Sequence, residues 1–157
     1  MTEKKNGIIQ MYYDEANIKL FFEYFIFNGK IEGEYKLYHK NGQIKEICNY
    51  KNDEKEGEYK QYYDNGQLYI ICNYINGKKE GEYKSYHENG DLKIKCNYKN
   101  DETEGEYKNY YINGKLQEIW NYREGYLHGM VIKYDENGQI YYIGEYIQGK
   151  IKQKILS

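Results

Sequence analysis

The sequence predicts an all-β fold: one elongated, twisted antiparallel sheet built from six stacked β-hairpin repeats. Three observations carry that expectation. The stretch Gly57-Glu58-Tyr59-Lys60-Gln61-Tyr62-Tyr63-Asp64-Asn65-Gly66-Gln67-Leu68 recurs in frame from Gly33, Gly81, Gly105 and, more loosely, Gly129, each time twenty-four residues on. An Asn-Gly pair returns in step at Asn41-Gly42, Asn65-Gly66, Asn89-Gly90, Asn113-Gly114 and Asn137-Gly138. Aromatic runs free of breakers flank each pair, as strands flank a hairpin turn. Self-similarity at a fixed period in this range marks a stacked repeat architecture. Residues 1–6 then form a lead-in, 7–150 hold repeats starting at 7, 33, 57, 81, 105 and 129, and 151–157 form a C-terminal edge tail.

Within the second repeat, Glu34-Tyr35-Lys36-Leu37-Tyr38-His39 reads as a strand and Gln43 to Tyr50 as its return. Asn41-Gly42 reads as a two-residue type I′ turn, because both central positions of that turn need positive φ. Lys51-Asn52-Asp53-Glu54-Lys55-Glu56 reads as a polar link. About twelve strands result.

The turn sets the register. On a two-residue loop His39 opposes Ile44, Tyr35 opposes Cys48, and Gly33 opposes Tyr50, all on one face. Carried forward, the same register pairs Tyr59–Cys72, Tyr83–Cys96, Tyr107–Trp120 and Val131–Gly144, and also Gly57–Tyr74, Gly81–Tyr98, Gly105–Tyr122 and Gly129–Tyr146. A ring laid over each strand glycine would cover its backbone. The opposite face sets Tyr38 against Lys45, Lys36 against Ile47 and Glu34 against Asn49. The first repeat fits the columns through Gly7, Ile9, Tyr12, Ile18, Phe22 and Tyr24, with Glu15-Ala16 in place of Asn-Gly. Terminal repeats of stacked arrays are usually atypical, and lysines in the last strand suit an edge that resists further pairing.

Composition excludes several function classes. The formal net charge is −2, so no basic face is available for a nucleic-acid backbone. No apolar run approaches the ~20 residues of a membrane helix, and the first residues lack the apolar core of a secretory signal. Cytoplasmic residence is the expectation. Cys48, Cys72 and Cys96 share one repeat position, so neighbours lie two strand spacings apart, roughly 10 Å. That exceeds disulfide reach, and buried, unbridged thiols are expected.

Catalysis needs convergent groups, whereas a repeat sheet spreads equivalent positions apart. His39 and His87 fall roughly 20 Å from each other, and His128 sits in a link. Ser85 has no base placed to activate it. No Gly-rich phosphate loop and no complete calcium loop is present. No enzyme activity, metal or cofactor is therefore expected. The candidate binding surface is the column Tyr38, Tyr62, Tyr86, Tyr110 and Tyr134, flanked by Lys36, Lys60, Lys84 and Lys108. A tyrosine offers a rigid aromatic body with a polar tip. It is also a good sheet former, so recognition and plain strand structure both explain the column.

Gly33-Glu34-Tyr35-Lys36-Leu37-Tyr38 with Asn41-Gly42-Gln43-Ile44, and its counterparts from 57, 81 and 105, resemble the MORN (membrane occupation and recognition nexus) repeats, more closely their bacterial variant. Tyr126-Leu127-His128-Gly129 resembles the link of the eukaryotic type. The resemblance spans roughly residues 7 to 150 and implies a stacked-hairpin module found in scaffolds and in appendages to enzymes. Bacterial members are often labelled antitoxins. The expected function is a non-enzymatic module for protein–protein interaction or scaffolding. An antitoxin or immunity protein neutralising a toxic partner is the narrower alternative. Lipid-surface binding is the other, though the chain has no basic cluster for anionic headgroups. The expected partner is another protein, with a membrane disfavoured. A homodimer through the apolar Gly–Tyr face is one way to cover it.

Overall fold

The computed structural model describes residues 6–13 and 19–156. Glu15-Ala16 and Ile18 of the first repeat lie outside the described residues. The chain divides into two compact units, Met1–Lys78 and Lys79–Ser157. The first contains β1 (Gly7–Tyr12), β2 (Leu20–Phe27), β3 (Lys30–Tyr38), β4 (Ile44–Lys51), β5 (Glu54–Tyr62) and β6 (Leu68–Ile75). A two-residue strand, β7 (Lys78–Lys79), spans the division in the chain. The second contains β8 (Gly81–Tyr86), β9 (Leu92–Lys99), β10 (Glu102–Tyr110), β11 (Leu116–Arg123), β12 (Tyr126–Leu127), β13 (Gly129–Tyr134), β14 (Ile140–Ile147) and β15 (Lys150–Leu156).

In each unit, successive long strands pair antiparallel in chain order, and β12 pairs with β11. The described residues contain no helix. The all-β hairpin array expected from the repeats is what the chain forms. The described residues form fifteen strands where about twelve were expected, partly because the links are themselves extended. β3 already begins at Lys30 and β5 at Glu54, so most of the supposed polar link is strand.

The two kinds of turn are the reverse of the sequence expectation. Asn52 and Asp53 of the link both have positive φ, 54° and 72°, so the tight two-residue turn lies between repeats. Asn and Asp tolerate that conformation through short polar side chains. The Asn41-Gly42 turn is instead a three-residue loop. Gly42 N–H donates to the His39 carbonyl at 2.9 Å, and His39 N–H donates to the Gln43 carbonyl at 2.8 Å. Only Gly42 holds positive φ there, 87°. This is a type I turn closed by a left-handed glycine.

A longer loop shifts the register by one residue, and a bulge shifts it back. Tyr38 pairs with Ile44 and Leu37 with Glu46, leaving Lys45 as the extra residue. Beyond the bulge the expected pairs all appear: Tyr35 with Cys48 and Gly33 with Tyr50, then the equivalents through Val131 with Gly144 and Gly129 with Tyr146.

A second irregularity explains the glycine column. On the side facing the previous repeat, Cys48 pairs with Tyr59 but Asn49 pairs with Glu56, so Gly57 and Glu58 bulge out. Gly57 holds φ 81° there, a conformation an L side chain rarely adopts. The tyrosine opposite is not laid over the glycine, since nothing lies within 4 Å of where a Gly57 Cβ would be. Tyr74 instead packs edge-on against Tyr59 with ring centroids 5.5 Å apart. The glycine serves the bulge, and the tyrosine serves its aromatic neighbour.

Among the described residues, the buried ones are Cys48, Tyr59 and Cys72 in the first unit and Ser85, Cys96, Val131 and Gly144 in the second. All seven lie on the Gly–Tyr face, on the strands and in the register just described. Burial of a side chain such as Val131 contributes about 1.5–3 kcal/mol.

Candidate functional site

The bulge after each turn decides what stands beside the candidate tyrosines. Paired residues share a face, so Ile44 lies with Tyr38, Leu68 with Tyr62, Leu92 with Tyr86, Leu116 with Tyr110 and Ile140 with Tyr134. Lys45 does not stand against Tyr38, and Ile44 does not stand against His39. The bulged residue goes to the Gly–Tyr face instead. In the fifth repeat, Asn109 Nδ2 donates to Gln117 Oε1 at 2.9 Å across that face. In the first, the bulged Phe21 ring lies 5.3 Å from that of Phe22. Each candidate tyrosine is half-buried beside an aliphatic neighbour.

The flanking lysines are neutralised within their own strands. Lys36 pairs with Glu34, Lys60 with Glu58 at 2.5 Å, Lys84 with Glu82 at 2.5 Å, and Lys108 with Glu106 at 2.6 Å. Residues two apart on a strand share a face, so the spacing dictates the pairing. The glutamate partner pushes the ammonium pKa up in all four. At the N-terminal end, Tyr38 donates its hydroxyl to Glu23 Oε1 at 3.0 Å. Partial burial first, and that carboxylate second, push the Tyr38 phenol up to about 12. In the sixth repeat Met130 and Ile132 replace the glutamate and lysine, and Glu145, paired with Met130, stands on this face where the earlier repeats carry asparagine.

The Gly–Tyr face is less purely apolar than its tyrosines and cysteines suggest. Glu46 accepts from Lys55 Nζ at 2.9 Å, and that ammonium sits 4.3 Å from the Tyr59 ring centroid. Glu118 and Lys133 repeat the arrangement in the second unit at 2.9 Å, with Lys133 5.6 Å from the Trp120 ring. Cys48, Cys72 and Cys96 are buried and form no disulfide. Burial pushes the Cys48 thiol up to about 12, which makes it a poor nucleophile.

Neither His39 nor His87 is an idle loop residue. His39 Nε2 lies 2.9 Å from the Tyr62 carbonyl, and His87 Nε2 lies 3.0 Å from the Tyr110 carbonyl. In the same column, Tyr13 and Tyr111 donate hydroxyls to the Tyr38 and Tyr134 carbonyls, each at 2.8 Å. At these four positions a ring with a polar tip therefore clasps one hairpin to the main chain of the next. The signal was in the sequence as the column Tyr13, His39, His87, Tyr111, where two chemically different residues share only reach and a donor.

Ser85 is buried with its hydroxyl unpaired, so no base touches it. Among the described residues no three of His, Cys, Asp and Glu converge as metal ligands. No helix among them is long and apolar enough to cross a membrane.

Comparison with known proteins agrees with the repeat geometry. The family described as MORN repeat variant matches at residues 31–52, 55–76, 79–100, 103–124 and 127–148. No curated protein matches the chain. Among solved structures, the crystal structure of the GtfA/B complex bound to UDP and GlcNAc aligns at 10% identity and a TM-score of 0.31. That alignment covers 87% of this chain and 26% of the other, and the likeness is too low to transfer fold or function. Five consecutive matches over most of its length, each folded as a hairpin, place this chain in the MORN repeat variant family.

Proposed function

We propose that the chain is a non-enzymatic protein-binding module whose contact surface, in each unit, is the face carrying Tyr38 and Tyr62 or Tyr86, Tyr110 and Tyr134. The observation that carries this reading is the pairing of each flanking lysine with the glutamate two residues before it. Such a face has aromatic and aliphatic area but little net positive field. A protein surface suits it better than anionic lipid or a nucleic-acid backbone, both of which need uncompensated cations. Half-buried tyrosine rings held against aliphatic neighbours bind at low entropic cost.

Affinity capture from the native cell tests the proposal, with the wild-type chain compared with Tyr86→Ala and Tyr110→Ala. A stoichiometric protein partner held by the wild type and lost by both folded variants is the expected result. Equal capture by the variants overturns the choice of face, and saturable pelleting with anionic liposomes overturns the choice of partner class. If the captured partner is a toxic enzyme, rescue of growth on co-expression identifies the antitoxin form of the same activity.

A further inference from the structure

Every turn between repeats begins with a residue at positive φ: Asn28, Asn52, Asn76, Asn100, Glu124 and Gln148. Its amide lies outside the strand ladder and is open to another acceptor. Five of the six have one from the preceding chain. Asn6 Oδ1 accepts from Asn28 at 2.6 Å, Glu32 from Asn52 at 2.8 Å, and Glu56 from Asn76 at 2.9 Å. Glu80 accepts from Asn100 at 2.9 Å, and Glu104 from Glu124 at 2.8 Å. Four of these acceptors are carboxylates.

The sixth turn breaks the series. His128 stands in the glutamate's place, and the Gln148 amide has no acceptor among the described residues. Beside it is a cavity lined by Arg123, Glu124, Tyr126, His128 and Gln148. Tyr126 and His128 occupy the places held by Glu54 and Glu56, or Glu102 and Glu104, in other links. The last link thus exchanges two carboxylates for a phenol and an imidazole. The side chain of Arg123, the chain's one arginine, forms no ion pair and no hydrogen bond among the described residues. Glu124 is the single carboxylate of the lining and is paired with neither Arg123 nor Gln148.

We propose that this cavity binds a carboxylate from outside the chain, at the place where the earlier repeats supply their own. The Gln148 N–H donates to one oxygen, as the four equivalent amides do to glutamate. The Arg123 guanidinium provides the charge and a second pair of donors. The His128 ring replaces the absent glutamate with a donor, and the Tyr126 ring and hydroxyl wall the site. An acidic side chain of a partner protein and a small free carboxylate share this chemistry. The site lies at the last link, apart from the tyrosine face, and does not depend on that face being a contact surface.

The test is a titration of the full, ¹⁵N-labelled chain with sodium acetate, and separately with an end-blocked peptide carrying one glutamate, at matched chloride. The Gln148 amide resonance is expected to move saturably with carboxylate and not with chloride. Tighter binding of the peptide assigns the site to a partner's side chain; equal binding assigns it to a small carboxylate. His128→Glu restores an internal acceptor and is expected to weaken binding by about tenfold or more, the scale of one charge-assisted hydrogen bond. Arg123→Ala is expected to weaken it as well, and carries the test if the first variant fails to fold. Tyr86→Ala is expected to leave it unchanged. A Gln148 amide that moves with neither ligand, or His128→Glu and Arg123→Ala variants that bind like the wild type, overturns the proposal.

Discussion

His39 donates its Nε2–H to the main-chain carbonyl of Tyr62 at 2.9 Å, tying the turn of one repeat to the strand end of the next. The carbonyl can only accept, so the neutral ring carries its proton on Nε2. Tyr111 makes the same link to Tyr134 at 2.8 Å with a hydroxyl. His39→Phe keeps the ring and removes the donor. It should cost about 0.5–1.5 kcal/mol, the net worth of one hydrogen bond, while His39→Tyr should cost less. Urea midpoints of the two variants check this, and a phenylalanine variant as stable as wild type would show the clasp to be idle.

Gly57→Ala should destabilise the first unit by about 1–2 kcal/mol, the cost of holding an L residue in the left-handed region. The space around a Gly57 Cβ is open, so the penalty is one of backbone conformation and not of collision. Gly57→Asn should therefore be the milder change although it is larger. Denaturant unfolding of both variants tests the ordering; if the alanine variant is the milder, the bulge does not require the left-handed conformation.

Glu46 and Lys55 form a partly buried pair over the Tyr59 ring. Other repeats place Ile70 or Ile94 at the Glu46 position and Ile31 at the Lys55 position. Glu46→Ile alone strands the ammonium and should destabilise by about 1–3 kcal/mol. The double variant Glu46→Ile with Lys55→Ile should recover most of that loss, because aliphatic residues commonly replace a buried ion pair at no net cost. A double variant less stable than the single one would contradict this.

Alkaline pH should unfold the chain cooperatively. Burial pushes the Cys48 thiol and the Tyr50 and Tyr107 phenols up to about 12. Their unfolded values are near 8.5 for cysteine and 10 for tyrosine. The folded chain thus holds protons that the unfolded chain releases, and stability falls wherever the unfolded state binds fewer. The contribution is intact below pH ~8.5 for the thiol and ~10 for the phenols, and is lost as pH climbs toward 12. Circular dichroism from pH 8 to 12 should show stability declining across that window. Native thiols should also resist alkylation at pH 8 and react once the chain unfolds. A flat profile, or rapid native alkylation, would place these groups in contact with water.

The period, the hairpin array, the family and the pairs Tyr35–Cys48 and Gly33–Tyr50 were all legible in residue spacing alone. These are periodic properties, and a fault in one turn does not disturb them if the next irregularity cancels it. Such cancellation occurred: the three-residue loop at Asn41 and the bulge at Lys45 offset each other. Between the two, every side chain sits on the face opposite to the one a simple turn assigns, because the strand's side-chain period is two residues. That Ile44 stands beside Tyr38, and that Asn52-Asp53 and not Asn41-Gly42 takes the tight turn, emerges only in the folded chain. The same holds for His39 reaching Tyr62 and for Gln148 lacking the carboxylate its equivalents receive. Those outcomes rest on φ angles and on contacts between repeats, which residue spacing along one strand does not encode.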